Sequence, residues 1–350
     1  MSEENAGASG ASAAGDQENT AQLPPRARIR LTGHGLLPWF ALLVLALSLF
    51  APLSASGIWD PPEREVAEFA RRIALNLLGG QGLSLDGADN QVPTRSELGR
   101  GELPFTSIAL GFRVFGLHAW AGRLPLAIWG LLGLAATYLL VRRLADRRSA
   151  CFSLLVLATM PLYFLHARTM LGDIVTMSAL ALSICGLGLA VFERGNRSPG
   201  GARWLSLGLG LLGMLCAVLS RGVLIGIAVP AGSVGVTWLV LRSARVTSGE
   251  RFADLVGALA LGASSLFGVL ACRALWHAPE SGGAFSLMLG SAVNRPHVLP
   301  TFESVLLQLG HALFPWSAVL PIALARSCAS RPQAARSPRA SVKRRCASCA

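Results

Sequence analysis

Charge is scarce in this chain. Asp, Glu, Lys and Arg together make up 14% of 350 residues, against about 25% in a soluble domain. A soluble globular fold would leave too little polar surface to face water. A cysteine framework is also missing. Seven cysteines are present, but Cys151, Cys185, Cys216 and Cys272 sit in or beside apolar blocks, where the thiol behaves as a small hydrophobe. Cys346 and Cys349 form a CxxC without a second pair or a nearby histidine, too little for a zinc site. No Asp-x-Asp occurs, and His118, His277, His297 and His311 show no ligand spacing. No metal-ligand set and no cofactor are expected from these patterns, and the sequence leaves divalent-metal dependence open. Large apolar side chains are nearly absent from residues 1–25, which excludes a packed core there. That stretch is too long and acidic for a signal-peptide n-region.

Long apolar runs take up the rest. Hydrophobic residues reach 52% of the chain, and mean hydropathy is +0.51. They fall in eight blocks, about 35–56, 120–141, 149–166, 173–192, 204–219, 222–241, 253–273 and 303–325. Each approaches the ~20 residues a helix needs to cross a ~30 Å hydrocarbon core. Lipid offers the backbone no hydrogen-bond partner, so such blocks must be helices. The expected fold is an all-α polytopic membrane protein of about eight transmembrane helices. Residues 1–30 read as a disordered, basic-ended N-terminus, 31–325 as the transmembrane domain, and 326–350 as a disordered basic tail.

The net charge of +12 comes from arginines in short connections between apolar blocks. That pattern sets orientation, and no nucleic-acid face is expected. With the N-terminus in the cytoplasm, the inner segments hold Arg26, Arg28 and Arg30; Arg142, Arg143, Arg147 and Arg148; Arg194, Arg197 and Arg203; and Arg242, Arg245 and Arg251. The first outer loop, 57–119, carries an amphipathic stretch. Val66, Phe69, Ala70, Ile73 and Leu77 share one face, suited to the plane of the membrane interface. Leu103 to Leu117 is apolar but short and contains Arg113, so it reads as interfacial or re-entrant.

Ionisable residues next to hydrocarbon need a reason, and three clusters converge at the outer helix ends. They are Trp59-Asp60-Pro61-Pro62-Glu63-Arg64-Glu65, then His166 to Asp173 with Arg168, then Ser220-Arg221-Gly222. Carboxylates can take a proton from an attacking hydroxyl or amine, and arginine can hold phosphate oxygens on two nitrogens. Together they suit a reaction with a phosphate-bearing donor. Spacing alone leaves other readings open: solvated flanks for Asp60 and Glu63, an ion pair between Arg168 and Asp173, a snorkelling Arg221. A transporter or lipid-linked sugar flippase is the alternative class. It should carry charge near the bilayer midplane, whereas here the polar groups gather at one surface.

The ordered series of short motifs resembles the GT-C class of membrane glycosyltransferases, the family that includes bacterial aminoarabinose transferases and dolichyl-phosphate-mannose protein mannosyltransferases. Trp59 to Arg72 is similar to that family's first outer loop, an Asp-Glu followed by Tyr-Ala-Glu-x-Ala-Arg. Phe112 to Gly116, Ala121-Gly-Arg123-Leu-Pro125 and Tyr138 to Leu144 follow in order. Ala167-Arg168 with Asp173, then Leu219-Ser-Arg221-Gly222, then Phe314-Pro315-Trp316 complete the series. Pro62-Glu63 stands where the family has Asp-Glu, with Asp60 two residues earlier. Glu102-Leu103-Pro104 stands for its Lys-Pro-Pro, with Arg100 the nearest basic residue. The family also continues through further helices, so the resemblance implies a chain truncated at its C-terminal side. It implies transfer of a sugar from a polyprenyl-phosphate donor to a lipid, glycan or protein acceptor outside the cytoplasmic membrane. Asp60, Glu63 and Asp173 are then the catalytic candidates, and Arg168, Arg221 and Arg100 the donor-phosphate ligands. Membrane lipids are the remaining expected partner.

Overall fold

A computed structural model of the chain describes residues 62–77, 90–98, 101–193, 200–243, 251–276, 309–319 and 321–323, with positions 47, 50, 53, 57, 58, 307 and 325. Helix is the sole regular structure among them. The order is α1 (Pro62–Asn76), α2 (Arg95–Leu98), α3 (Leu103–Phe115), α4 (Ala119–Leu144), α5 (Arg147–Thr159), α6 (Pro161–Arg168), α7 (Asp173–Phe192), α8 (Gly200–Val223), a π-turn (Leu224–Ala228), α9 (Val229–Ser243) and α10 (Arg251–Trp276). A short 3₁₀ turn, Trp316–Ala318, follows.

Four helical stretches are long and apolar enough to cross a membrane: Ala119–Leu144, Asp173–Phe192, Gly201–Ser243 and Arg251–Arg273. The third has 43 residues, which at about 1.5 Å per residue would be twice the bilayer core. It reverses at Arg221–Gly222, whose dihedrals are not helical. Gly222 has φ +80°, a conformation glycine takes without steric cost. Beyond the turn the chain runs back along itself, so that a Cβ placed on Gly226 would lie 2.4 Å from the Val218 nitrogen. Blocks 204–219 and 222–241 are thus two limbs of one hairpin.

The block 149–166 was expected as one straight helix, and it is broken. α5 and α6 meet at 67°, with Pro161 opening α6. Proline lacks the amide and crowds the preceding carbonyl, so a helix cannot run straight through it. The first expected span, about 35–56, lies largely outside the described residues, whereas most of the last, about 303–325, is described and is not one continuous helix: turns and the 3₁₀ segment Trp316–Ala318 interrupt it.

α7 is the most enclosed span. It packs most extensively on α8 and also on α4, α9 and α10. The contact with α8 is glycine-lined: a Cβ on Gly186 would stand 2.2 Å from the Gly210 nitrogen, and one on Gly213 2.5 Å from the Ser183 nitrogen. In lipid, where apolar burial drives helix association only weakly, close backbone approach is what small residues provide. Towards the other end, Ala70 and Ala74 of α1, Ile108 and Phe112 of α3, Leu126 and Leu134 of α4, Tyr163 of α6 and Ile174 of α7 form one core. The apolar side of α1 therefore rests on α3, with Phe69 edge-on to Phe105 at 6.1 Å. The sequence had pointed it at the interface plane. α3 is 13 residues long, about 20 Å at helical rise, too short to span.

Two substitutions test the α7–α8 contact. Gly186→Val should destabilise the bundle by about 1–3 kcal/mol through overpacking. Gly208→Val, on a face of α8 with nothing within 4 Å, should leave thermal unfolding in detergent unchanged.

Candidate active site at the outer helix ends

The helix ends sort into two sets. At one end lie the start of α4, the α6–α7 turn and the α8–α9 turn. At the other lie Arg143 with Glu193 at 2.7 Å and Arg242 with Asp254 at 3.4 Å. Of the six candidate site residues, the four that are described, Glu63, Arg168, Asp173 and Arg221, belong to the first end, and Glu63 is the most deeply placed. It is fully buried, as is its partner Arg123. The guanidinium holds both carboxylate oxygens, Nε to Oε1 and Nη2 to Oε2, each at 2.9 Å. Its other protons go to the carbonyls of Leu53 at 2.9 Å and Gly57 at 2.8 Å. Oε1 also accepts from the Met170 amide at 2.8 Å. An arginine in a spanning helix needs such compensation. Four chain segments thereby meet at one fork: the run into α1, α1 itself, the start of α4 and the α6–α7 turn.

Glu63, expected among the catalytic candidates, is thus placed inside the bundle, with both oxygens held by the fork and one also by an amide. In this geometry it anchors the site. Asp60 and Arg100 lie outside the described residues.

Asp173 and Arg221 are brought together. Arg221 Nη2 donates to Asp173 Oδ1 at 2.7 Å, with the side chains 28% and 36% exposed. The pair is within reach of water and of a ligand. Asp173 opens α7 after Gly172, which has φ +79°, and a carboxylate there is favoured by the helix dipole. His166 Nδ1 lies 3.8 Å from the other oxygen, Oδ2. Arg168 ends α6, and its guanidinium sits over the Phe164 ring at 4.8 Å. Just below, Thr176 Oγ1 and Ser220 Oγ share a hydrogen bond of 2.5 Å, which ties α7 to the α8–α9 turn. The Ser220 carbonyl accepts from the Gly101 amide at 3.1 Å. A Cβ on Gly101 would lie 2.1 Å from the Leu219 oxygen, so only glycine lets the first loop touch this turn. Among the described residues no group of three or more His, Cys, Asp or Glu side chains converges for a metal.

Residues 103–267 match the family model of dolichyl-phosphate-mannose-protein mannosyltransferases. The fold matches that of ArnT from Cupriavidus metallidurans in the apo state, with TM-score 0.57 and 18% identity over 81% of this chain and 49% of ArnT. It also matches ArnT from the same organism bound to undecaprenyl phosphate, with TM-score 0.59 and 19% identity over 84% of this chain and 52% of ArnT. Over most of its length the chain therefore has the fold of ArnT, and residues 103–267 within it carry the mannosyltransferase family pattern. No curated protein matches the sequence. The chain spans about half the length of the solved structures it resembles.

In the sequence Asp173 and Arg221 stand as separate charges beside apolar blocks, and the fold joins them. Arg123 stands in the sequence within a motif string, without a visible partner. The available signal was its position: a lone arginine inside an apolar block requires a buried acceptor. Thr176 and the Met170 amide carried no signal in the sequence, and Ser220 stood in the Ser220-Arg221-Gly222 cluster without a role of its own.

α1 has its own charge cluster. Arg71 Nη2 and Nε hold the Glu68 carboxylate at 2.6 and 2.9 Å, and Arg71 Nη1 reaches Asn90 Oδ1 at 3.0 Å. The hydrogen bonds from Arg71, then its charge and that of Arg72, hold Glu68 below the usual carboxylate range. A depressed folded-state value contributes stability above the ordinary range and loses it as pH falls through the lowered one. Protection of the α1 amides, measured against the intrinsic exchange rate at each pH, should therefore fall on acidification below about pH 4. In Glu68→Gln exchange should already be faster at neutral pH, with that acid-dependent component gone.

Proposed function

We propose that this chain transfers a sugar from a polyprenyl-phosphate carrier to an acceptor hydroxyl or amine at the outer face of a cytoplasmic membrane, with its N-terminus in the cytoplasm. The Asp173–Arg221 pair carries the reading, because it places a carboxylate and a guanidinium together at the mouth of a membrane bundle. The likeness to a structure of ArnT bound to undecaprenyl phosphate supports the donor class. The arginine-rich opposite ends support the orientation.

In the chain without ligand, Arg221 rests on Asp173. A donor phosphate competes for the guanidinium, because a charge-assisted hydrogen bond to phosphate replaces the one to carboxylate. Arg168 at the end of α6 adds positive charge for the same phosphate, and Arg100, which precedes Gly101 in the sequence, is the further basic candidate. The released Asp173 carboxylate then takes the proton of the acceptor as the acceptor oxygen or nitrogen bonds to the sugar's anomeric carbon. The bond from that carbon to the phosphate oxygen breaks, and polyprenyl phosphate leaves with the electron pair. Attack opposite the leaving group inverts the anomeric centre. Asp60, two residues before the Pro62-Glu63 step, is the second carboxylate available for the acceptor. The transporter alternative needs charge at mid-membrane. In the described spans the ionisable side chains stand at the ends, Arg123 at the start of α4 included.

Binding of undecaprenyl phosphate to the purified full chain tests this reading. Arg221→Gln should weaken it about tenfold or more, the loss of one charge-assisted hydrogen bond. Asp173→Asn should bind at least as well as wild type yet lose sugar transfer. Wild-type affinity in Arg221→Gln would remove the donor site from this turn.

A further inference from the structure

The basic end of the bundle, away from Asp173 and Arg221, holds a groove of about 730 Å³ lined by Thr137 of α4 and by Arg148, Ser149, Phe152, Ser153, Val156 and Leu157 of α5. We propose that this groove binds one anionic phospholipid, with an acyl chain along α5 and the phosphate at Arg148. The sugar-transfer reading does not use this groove, and the inference stands without it.

Length, polarity and charge carry the inference. From Arg148 to Leu157 the helix rises about 14 Å, close to half of a ~30 Å hydrocarbon core and so about one leaflet deep. Along that length the polar side chains are graded. Arg148 and Ser149 stand at the helix start, while Phe152, Val156 and Leu157 line the deeper part. The hydroxyls that fall within the wall are occupied: Thr137 Oγ1 donates to the Gly133 carbonyl at 2.9 Å and Ser153 Oγ to the Ala150 carbonyl at 2.8 Å. The deep wall therefore presents hydrocarbon. Phe152 is 59% exposed, and its ring meets Trp316 edge-on at 5.6 Å, which gives one side of the groove an aromatic flank.

The rim is built for negative charge. Arg142, Arg143, Arg147 and Arg148 surround one acid, Asp146. Asp146 caps α5 by accepting from the Ser149 amide at 3.3 Å. Arg143 is tied to Glu193 at 2.7 Å, and Arg142 lies over the Tyr138 ring at 5.9 Å. Arg147 and Arg148 open the helix at the exposed rim. Basic clefts between spanning helices at the cytoplasmic surface select anionic head groups by this chemistry. A soluble phosphate would leave the apolar wall uncovered, and a zwitterionic lipid would bring its own cation against the arginines.

The test is native mass spectrometry of the full chain in detergent, titrated with phosphatidylglycerol and with phosphatidylcholine of the same chains. Phosphatidylglycerol should be retained at about tenfold lower concentration. Arg147→Gln with Arg148→Gln should abolish that preference. Ser153→Trp fills the groove without changing charge and should reduce retention of both lipids, with thermal unfolding run alongside to confirm the fold. Inorganic phosphate should not compete. Equal retention of the two lipids by wild type would overturn the proposal, as would an undiminished preference in the double arginine variant or displacement by inorganic phosphate.

Discussion

The fold at the end of the bundle that holds Asp173 and Arg221 depends on one buried ion pair. Arg123 lies near the start of a spanning helix, where an unpaired charge is costly, and Glu63 lies 60 residues earlier in the chain. Neither could stay buried without the other. Because the guanidinium also serves the Leu53 and Gly57 carbonyls, and the carboxylate also serves the Met170 amide, the pair fixes more than itself. It holds the run into α1 and the α6–α7 turn in one register. Asp173 begins its helix three residues after Met170, so its position follows from the fork. Replacing a buried pair with apolar side chains can be neutral, whereas removing one partner leaves a charge stranded. The fork is therefore a constraint on geometry more than a source of stability.

The bundle separates two kinds of chemistry by distance. One set of helix ends holds Asp173 with Arg221, partly exposed and braced by Thr176–Ser220. The opposite ends hold arginines in excess of acids, several of them used to tie neighbouring helices together. Between the two, the α7–α8 contact is made by glycines whose Cβ positions are already filled by the facing backbone. Such a contact tolerates little sliding, which keeps the α8–α9 turn, and Arg221 with it, level with the start of α7.

Much of this was legible in the residues. Apolar blocks of spanning length dictated helices, and the arginine pattern marked which ends are alike. The three outer clusters were recognised by the oddity of charge beside hydrocarbon, and two of them, Asp173 and Arg221, do meet. Local pattern failed where a long-range partner decides the outcome. Glu63 reads as a loop carboxylate until Arg123 folds over it, and α1 reads as interfacial until α3 covers its apolar side. The break at Pro161 follows from proline chemistry, but the continuously apolar block around it reads as one span. The turn at Gly222 reads as a tight connection, but its closeness to Val218 is a property of packing that no sequence spacing encodes.

The central claim is that the Glu63–Arg123 fork fixes the outer ends, and a double-mutant cycle read by unfolding in detergent tests it most directly. Arg123→Met alone should cost about 3–5 kcal/mol, because it strands a buried carboxylate. Combining it with Glu63→Leu should recover a large part of that loss, so that the two effects are strongly non-additive. A single variant within about 0.5 kcal/mol of wild type, or two losses that simply add, would contradict the account.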